Sequence, residues 1–278
     1  YRKFQPFGKF RWALVNFTQY YTIDFGGNSI NKGFDINTYS QFTNYFNLGA
    51  GFNYSGNTLS RGELWGGPAL LLPAVKYGWG FIETDSRKKL IAKLNLSVQK
   101  GNFAYFGLGK VNLELTYKPM NTLSISLIPQ YSKGYNDLQY TLTTLNQSNE
   151  EIRYIMATLS REVFDLSLRV NVSLSPNFSV QYYAQPYIFA GKYSNFKRIT
   201  NPKATNYYDR FSSFGKNNIY YNSENDFYVI DEDNNATADY GFYNPNFHYL
   251  QFRSNMVLRW EYRRGSSLYL VWSQGGSD

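Results

Sequence analysis

The sequence predicts an all-β protein, an antiparallel transmembrane β-barrel with lipid against one side of its strands and water against the other. Three observations carry that expectation. Apolar and polar side chains alternate with period two along most of the chain. Charged residues are only 17% of the 278 residues, below the usual quarter, and in the strands they keep to the polar parity. The chain is polar on average yet 19% aromatic, with 27 Tyr and 22 Phe. A barrel allows this because half of each strand faces its lumen. A helical membrane protein is excluded, since no run of about 18 apolar residues exists.

The elements follow in order. Lys9 to Phe25 reads as a long strand and Gly26 to Gly33 as a loop. Phe34 to Thr43 and Phe46 to Tyr54 pair around Asn44-Tyr45. Ser55 to Gly67 is a loop, Pro68 to Leu72 a short apolar piece, and Val75 to Thr84 and Lys89 to Gln99 a hairpin joined at Asp85-Ser86-Arg87. Tyr105 to Lys118 leads through a turn at Lys118-Pro119-Met120-Asn121 into Leu123 to Ser132, and Gly134 to Asp137 makes a further turn. Leu138 to Leu145 and Ile152 to Ser160 pair across a polar loop.

Val163 to Gln181 is the clearest stretch. Phe164, Leu166, Leu168, Val170, Val172 and Leu174 point one way and Asp165, Ser167, Arg169, Asn171 and Ser173 the other. A turn at Ser175-Pro176-Asn177 leads to Phe178, Val180, Tyr182, Ala184, Pro186 and Ile188 on the apolar parity. Residues 192–247 form a long, polar loop with short strand-like pieces at Asn218 to Tyr221 and Phe227 to Ile230. His248 to Tyr262 alternates again, and Arg263-Arg264-Gly265-Ser266 turns into Ser267 to Ser273. This makes about fourteen strands in one unit, 1–278, with short turns at one end and long connections, 192–247 above all, at the other. In outer-membrane barrels the long loops face outward. The chain ends in Gly275-Gly276-Ser277-Asp278 rather than on an aromatic residue, so it is expected to be a segment of a larger barrel, with further strands on both sides.

Trp12, Tyr117, Trp260, Tyr262 and Trp272 read as an aromatic girdle near strand ends on the apolar face. Lys93, Glu114, Asp165, Arg169, Arg253, Arg259 and Glu261 read as lumen-facing charges, which either line a polar channel or pair across strands. A soluble sandwich would also need a dry apolar face, so segregation of charge does not by itself decide for lipid. Arg87, Lys88 and Lys89, with Arg61, read as a rim that meets lipid headgroups or lipopolysaccharide phosphates, or merely anchors the barrel. Gly49, Gly51, Gly78 and Gly80 alternate within strands and read as relief for curvature.

Chemistry finds little support. The absence of Cys excludes disulfides, thiolate metal sites and a cysteine nucleophile. His248 is the only His and reads as structural, with no nucleophile elbow in the chain. Glu224, Asp226, Asp231, Glu232, Asp233 and Asp239 cluster in the long loop but lack EF-hand spacing, and read as a solvated surface. No catalytic residue, metal or cofactor is expected. The net charge of +8 is scattered rather than run together, which favours anionic envelope partners over nucleic acid.

Four stretches carry a family resemblance: RGELWGGPALLLP (Arg61 to Pro73), ETDSRKKL (Glu83 to Leu90), AQPYIFAGKYSNFK (Ala184 to Lys197) and FRSNMVLRWEYRRGSSLYLVWSQ (Phe252 to Gln274). With these the chain resembles the C-terminal barrel of uncharacterised gram-negative outer-membrane proteins that carry an N-terminal domain like carbohydrate-binding module family 9. The family pattern reads Arg-Gly-Gly-Pro where this chain inserts Glu63-Leu64-Trp65. The resemblance implies an outer-membrane location, no established activity, and glycan as a candidate ligand. The expected function is a non-enzymatic pore or surface scaffold. The alternative is a structural subunit of a larger secretion or uptake complex with envelope protein partners.

Overall fold

The computed structural model describes residues 1–27 and 29–278. Among them are eighteen strands and two short 3-10 helices, so the chain is all-β and antiparallel. The strands are β1 (Arg2–Lys3), β2 (Phe10–Ile23), β3 (Ser29–Phe42), β4 (Asn47–Ser55), β5 (Thr58–Ser60), β6 (Leu70–Leu72), β7 (Val75–Glu83), β8 (Leu90–Gly101) and β9 (Phe106–Met120). They continue as β10 (Leu123–Leu145), β11 (Ile152–Ser175), β12 (Phe178–Ile199), β13 (Phe211–Ser213), β14 (Ile219–Asn222), β15 (Phe227–Ile230), β16 (Tyr240–Tyr243), β17 (Phe247–Arg263) and β18 (Ser266–Ser277).

Thirteen of these make one sheet in the order β1-β2-β3-β4-β7-β8-β9-β10-β11-β12-β17-β18, with β13 added to the far end of β12. Each long strand pairs with the next long strand in sequence, the pattern that short turns impose. The turns after β3, β7, β9, β11 and β17 lie at one end. The last of these is closed by Gly265 at φ +75°, a left-handed position that glycine occupies without strain. Among the described residues no ladder joins β18 back to β1 or β2, so the sheet is open, with two edges.

Register assigns each side chain to a face. One lateral row runs Thr38–Ala50–Gly80–Leu96–Val111–Tyr131–Phe164–Ile188–Leu250. Its neighbours along the strands repeat the composition, so one face is apolar from β2 to β18. That face is not covered: Phe17, Ile36, Leu96, Val98, Leu127, Phe164, Phe252 and Leu270 are exposed. The buried core lies elsewhere, at the end opposite the short turns. There β10, β11 and β12 run 23, 24 and 22 residues and rise past their neighbours. The connections between β4 and β7 and between β12 and β17 pack on them as a cap. One cluster unites Leu64, Leu70, Tyr105, Leu138, Met156 and Tyr207; a second unites Ile155, Ala157, Phe196, Ile230, Tyr240 and Phe242.

Several sequence expectations are corrected. Gly134 to Asp137 is not a turn: β10 runs through it, with register shifts between Asn136 and Gln139 and between Tyr140 and Leu142. A bulge adds a residue without ending the strand, and glycine and asparagine advertise either. Likewise Ile152 to Ser160 and the strand from Val163 are one strand. β3 begins at Ser29, inside the expected loop. The segment from Lys192 is still β12 as far as Ile199, and the remainder folds: β14 and β15, at the two expected pieces, join β16 in a small sheet. The Asn244 and Asn218 side chains hold its ends.

Candidate functional site

The polar face of the sheet is the candidate site. Polar pairs recur across it: Asn16–Asn37, Asn95–Asn112, Gln130–Asp165 and Asn171–Gln181. Asn16 Nδ2 donates to Asn37 Oδ1 at 3.0 Å and Asn95 Nδ2 to Asn112 Oδ1 at 3.0 Å. Such ladders satisfy amides that would be costly to leave unpaired.

All seven charged positions fall on this face, in separate groups. Lys93 lies opposite both Glu83 and Glu114, and its Nζ is 3.9 Å from Glu83 and 4.8 Å above the Phe81 ring. Arg259 pairs with Glu261 at 2.9 Å near the short-turn end. The third group is on β11, β12 and β17. Asp165 accepts from Gln185, which lies beside Arg253 in the register; Arg169 sits 5.4 Å from the Tyr183 ring centroid. Arg169, Asn171, Gln181, Tyr183 and Asn255 line a hollow of about 380 Å³. Adjacent rows thus present two guanidinium groups and one carboxylate to whatever the face meets.

Sequence reasoning missed an aromatic strip on the same face. Trp79 and Phe81 stack parallel, centroids 6.2 Å apart and planes 3° apart, with Tyr39 5.5 Å from Trp79. Gly49 and Gly51 lie directly opposite them, and any Cβ there would run into the rings. Those two glycines make room for the strip, while Gly78 and Gly80 face the other way. The signal was readable: Gly-x-Gly on one strand opposite Trp-x-Phe on the next.

The expected girdle divides. Tyr117, Trp260 and Tyr262 lie on the apolar face near the short turns, each about half exposed, with Trp260 and Tyr262 6.1 Å apart. Trp272 is on that face but halfway along β18, opposite Met256. Trp12 is not on it. A register shift between Phe10 and Trp12 puts Phe10 opposite Phe42 and Trp12 opposite Gln41, on the polar face. A one-residue slip reverses parity.

The rim residues are also separated. Arg61 is in the cap, 2.7 Å from Asp24, and Arg87 is at the short-turn end. Arg87 grips Asp85 through two nitrogens, each at 2.8 Å. That hydrogen-bonded guanidinium holds the Asp85 carboxyl down at about 2. Arg87 and Arg11 sandwich the Tyr45 ring at 3.2 and 3.9 Å. His248, opposite Ala190, makes no side-chain hydrogen bond or ion pair among the described residues.

The cap is held by buried charge. Lys197, 3% exposed, reaches Asp137 Oδ1 at 2.7 Å, and Tyr207 donates to the other oxygen at 2.7 Å. Glu232 takes Arg153, Arg198 and the Tyr240 hydroxyl. Burial, with Glu232 beside it, pushes the Tyr240 hydroxyl up. Arg210, 1% exposed, donates to the carbonyls of Ala204, Thr205 and Leu71, tying two connections together. Asp231, Asp233 and Asp239 come within 4.8 Å of one another. Their oxygens already accept from the backbone of Glu232, Asn235 and Ala236 and from Ser148, so the loop's own donors satisfy the acidic cluster.

Fold and face together define the class: an antiparallel meander, apolar on one side and polar on the other, with a folded cap at one end. A family model described as "Domain of unknown function (DUF5916)" matches residues 1–277, and the chain belongs to that family. No curated protein and no solved structure matches it.

Proposed function

We propose that this chain is a section of the wall of an outer-membrane β-barrel and acts, without chemistry of its own, as a pore or surface scaffold. The uncovered apolar face carries the reading. Soluble monomers rarely expose a contiguous apolar patch above a few hundred Å², and here the patch crosses the sheet from β2 to β18. Its height fits: from Phe164 to Leu174 is ten steps of about 3.3 Å, and a strand tilted by about 40° converts that into a band of about 25 Å. The two unpaired edges support the expectation that further strands complete the ring. The stacked rings of the polar face favour glycan as the solute, because a sugar's C–H face lies well on aromatic rings.

The test has two arms. The purified chain is expected to require surfactant or lipid; monodisperse behaviour in plain buffer would overturn the membrane reading. Reconstituted into planar bilayers with whatever completes its ring, it is expected to conduct, with the current reduced by added oligosaccharide; a sealed barrel would refute the pore. A second reading, a structural subunit of a secretion or uptake complex, is favoured by β18, whose residues Leu268 to Trp272 are exposed on both faces. Recovery from native membranes without any partner would count against it.

A further inference from the structure

The apolar face carries a charge pattern of its own. Between the short turns and the upper rows it holds no charged side chain on β4 to β17. At the long-connection end one lateral row then reads Tyr54–Lys76–Lys100–Gly107–Tyr135–Ser160–Lys192. Lys133 lies one row below. Only Lys133 has a counter-charge, Glu162 across the strand; among the described residues Lys76, Lys100 and Lys192 make no ion pair. Lys76 and Lys100 are direct cross-strand neighbours. Two like charges so placed destabilise a sheet unless an anion lies between them.

Beneath this row the face is hollow. Two adjoining hollows of about 740 and 610 Å³ share Val98. Their floors are Gly109 and Ala190 in the first and Ala50, Gly78 and Gly80 in the second, small residues where a larger side chain would fill the space. The trough is apolar, opens sideways from the sheet, and meets the lysines at its upper margin.

We propose that this trough seats the phosphorylated glycolipid that anchors lipopolysaccharide, its acyl chains over the glycines and its phosphates on Lys76, Lys100 and Lys192. The inference rests on the membrane reading above. Width selects the glycolipid over an ordinary phospholipid. Lys100 and Lys192 are four strands, about 19 Å, apart, so they call for a headgroup with separated phosphates, and the two hollows suit several chains rather than two.

The test uses the full chain in nonionic detergent, titrated with the bisphosphorylated diglucosamine lipid and followed by native mass spectrometry and thermal unfolding. Three variants are compared: wild type, K76Q/K100Q/K192Q, and G78L/G109L. The leucines are expected to fold, because a Cβ at Gly78 or Gly109 meets nothing closer than 3.9 Å. Binding is expected to weaken at least about tenfold in each variant. Without lipid, the lysine variant is expected to melt no lower than wild type. Equal binding by all three would overturn the proposal. So would equal affinity for phosphatidylglycerol, for phosphatidylcholine, or for inorganic phosphate alone, which point respectively to any anionic lipid, any acyl chain, or a bare anion site. Each of these results leaves the surfactant requirement intact, whereas failure of the membrane reading appears as solubility in buffer.

Discussion

The wall and the cap use the same strands in opposite ways. In the cap, β11 buries Ile155, Met156 and Ala157 in succession, so both of its faces are dry. Below, the same strand exposes Phe164 and Leu174. Among the described residues Ala184 is the only apolar side chain buried within the wall. The cap therefore has a core that water can enforce, with buried charges paired and hydrogen-bonded as burial demands. The wall has none, and its apolar face is left exposed. On the membrane reading proposed above, a water-facing cap would stand on a lipid-facing wall, with the row of lysines as the boundary between them.

The comparison is tested most strongly in the cap. Glu232→Ala leaves Arg153, 7% exposed, with only the exposed Glu151 as partner, takes the carboxylate from Arg198 and removes the acceptor of Tyr240. A loss of about 3–5 kcal/mol is expected, read as early proteolysis of 200–246 while the wall stays protected. If wall and cap unfold together, the division fails. Next, Leu127→Arg on the apolar face is expected to cost about 2–4 kcal/mol for folding into a bilayer. A change under about 0.5 kcal/mol would mean that this face meets water.

Smaller still is the pH effect. Burial opposes the charge of Asp239, but hydrogen bonds from Ser148 and the Glu232 N–H outweigh it and hold its pKa below the usual value. A depressed folded pKa stabilises fully above the unfolded value of about 4, and that contribution is lost as pH falls through the folded one. The cap is therefore expected to loosen below about pH 4, and Asp239→Asn to flatten that dependence. The smallest effect is expected from Arg61→Ala: its pair with Asp24 is largely exposed on the arginine side, 71%, and removal should cost about 0–1 kcal/mol. A larger loss would make Arg61 part of the cap's structure.

Much of the wall was legible because period two is a local property. The side of Phe164 or Asp165 follows from its neighbours in sequence, and the two prolines of β10 and β12, Pro129 and Pro186, did not disturb that parity. Trp12 was not legible, because a bulge is defined by the partner strand, here at Gln41. The aromatic strip needed the pairing of β4 with β7 before Gly49 and Gly51 could be seen to make room for Phe81 and Trp79. The cap was illegible for a different reason. Asp137, Lys197 and Tyr207 lie 60 and 70 residues apart in their contacts and look like ordinary polar surface in sequence.

By itself, then, the order of residues determined the strands, the two unlike faces and the antiparallel meander, since alternation and turn chemistry act between near neighbours. Only the tertiary structure decided which connections fold into a cap, where the charges are buried, and that the lysines form a single row, because those outcomes depend on contacts between residues far apart along the chain.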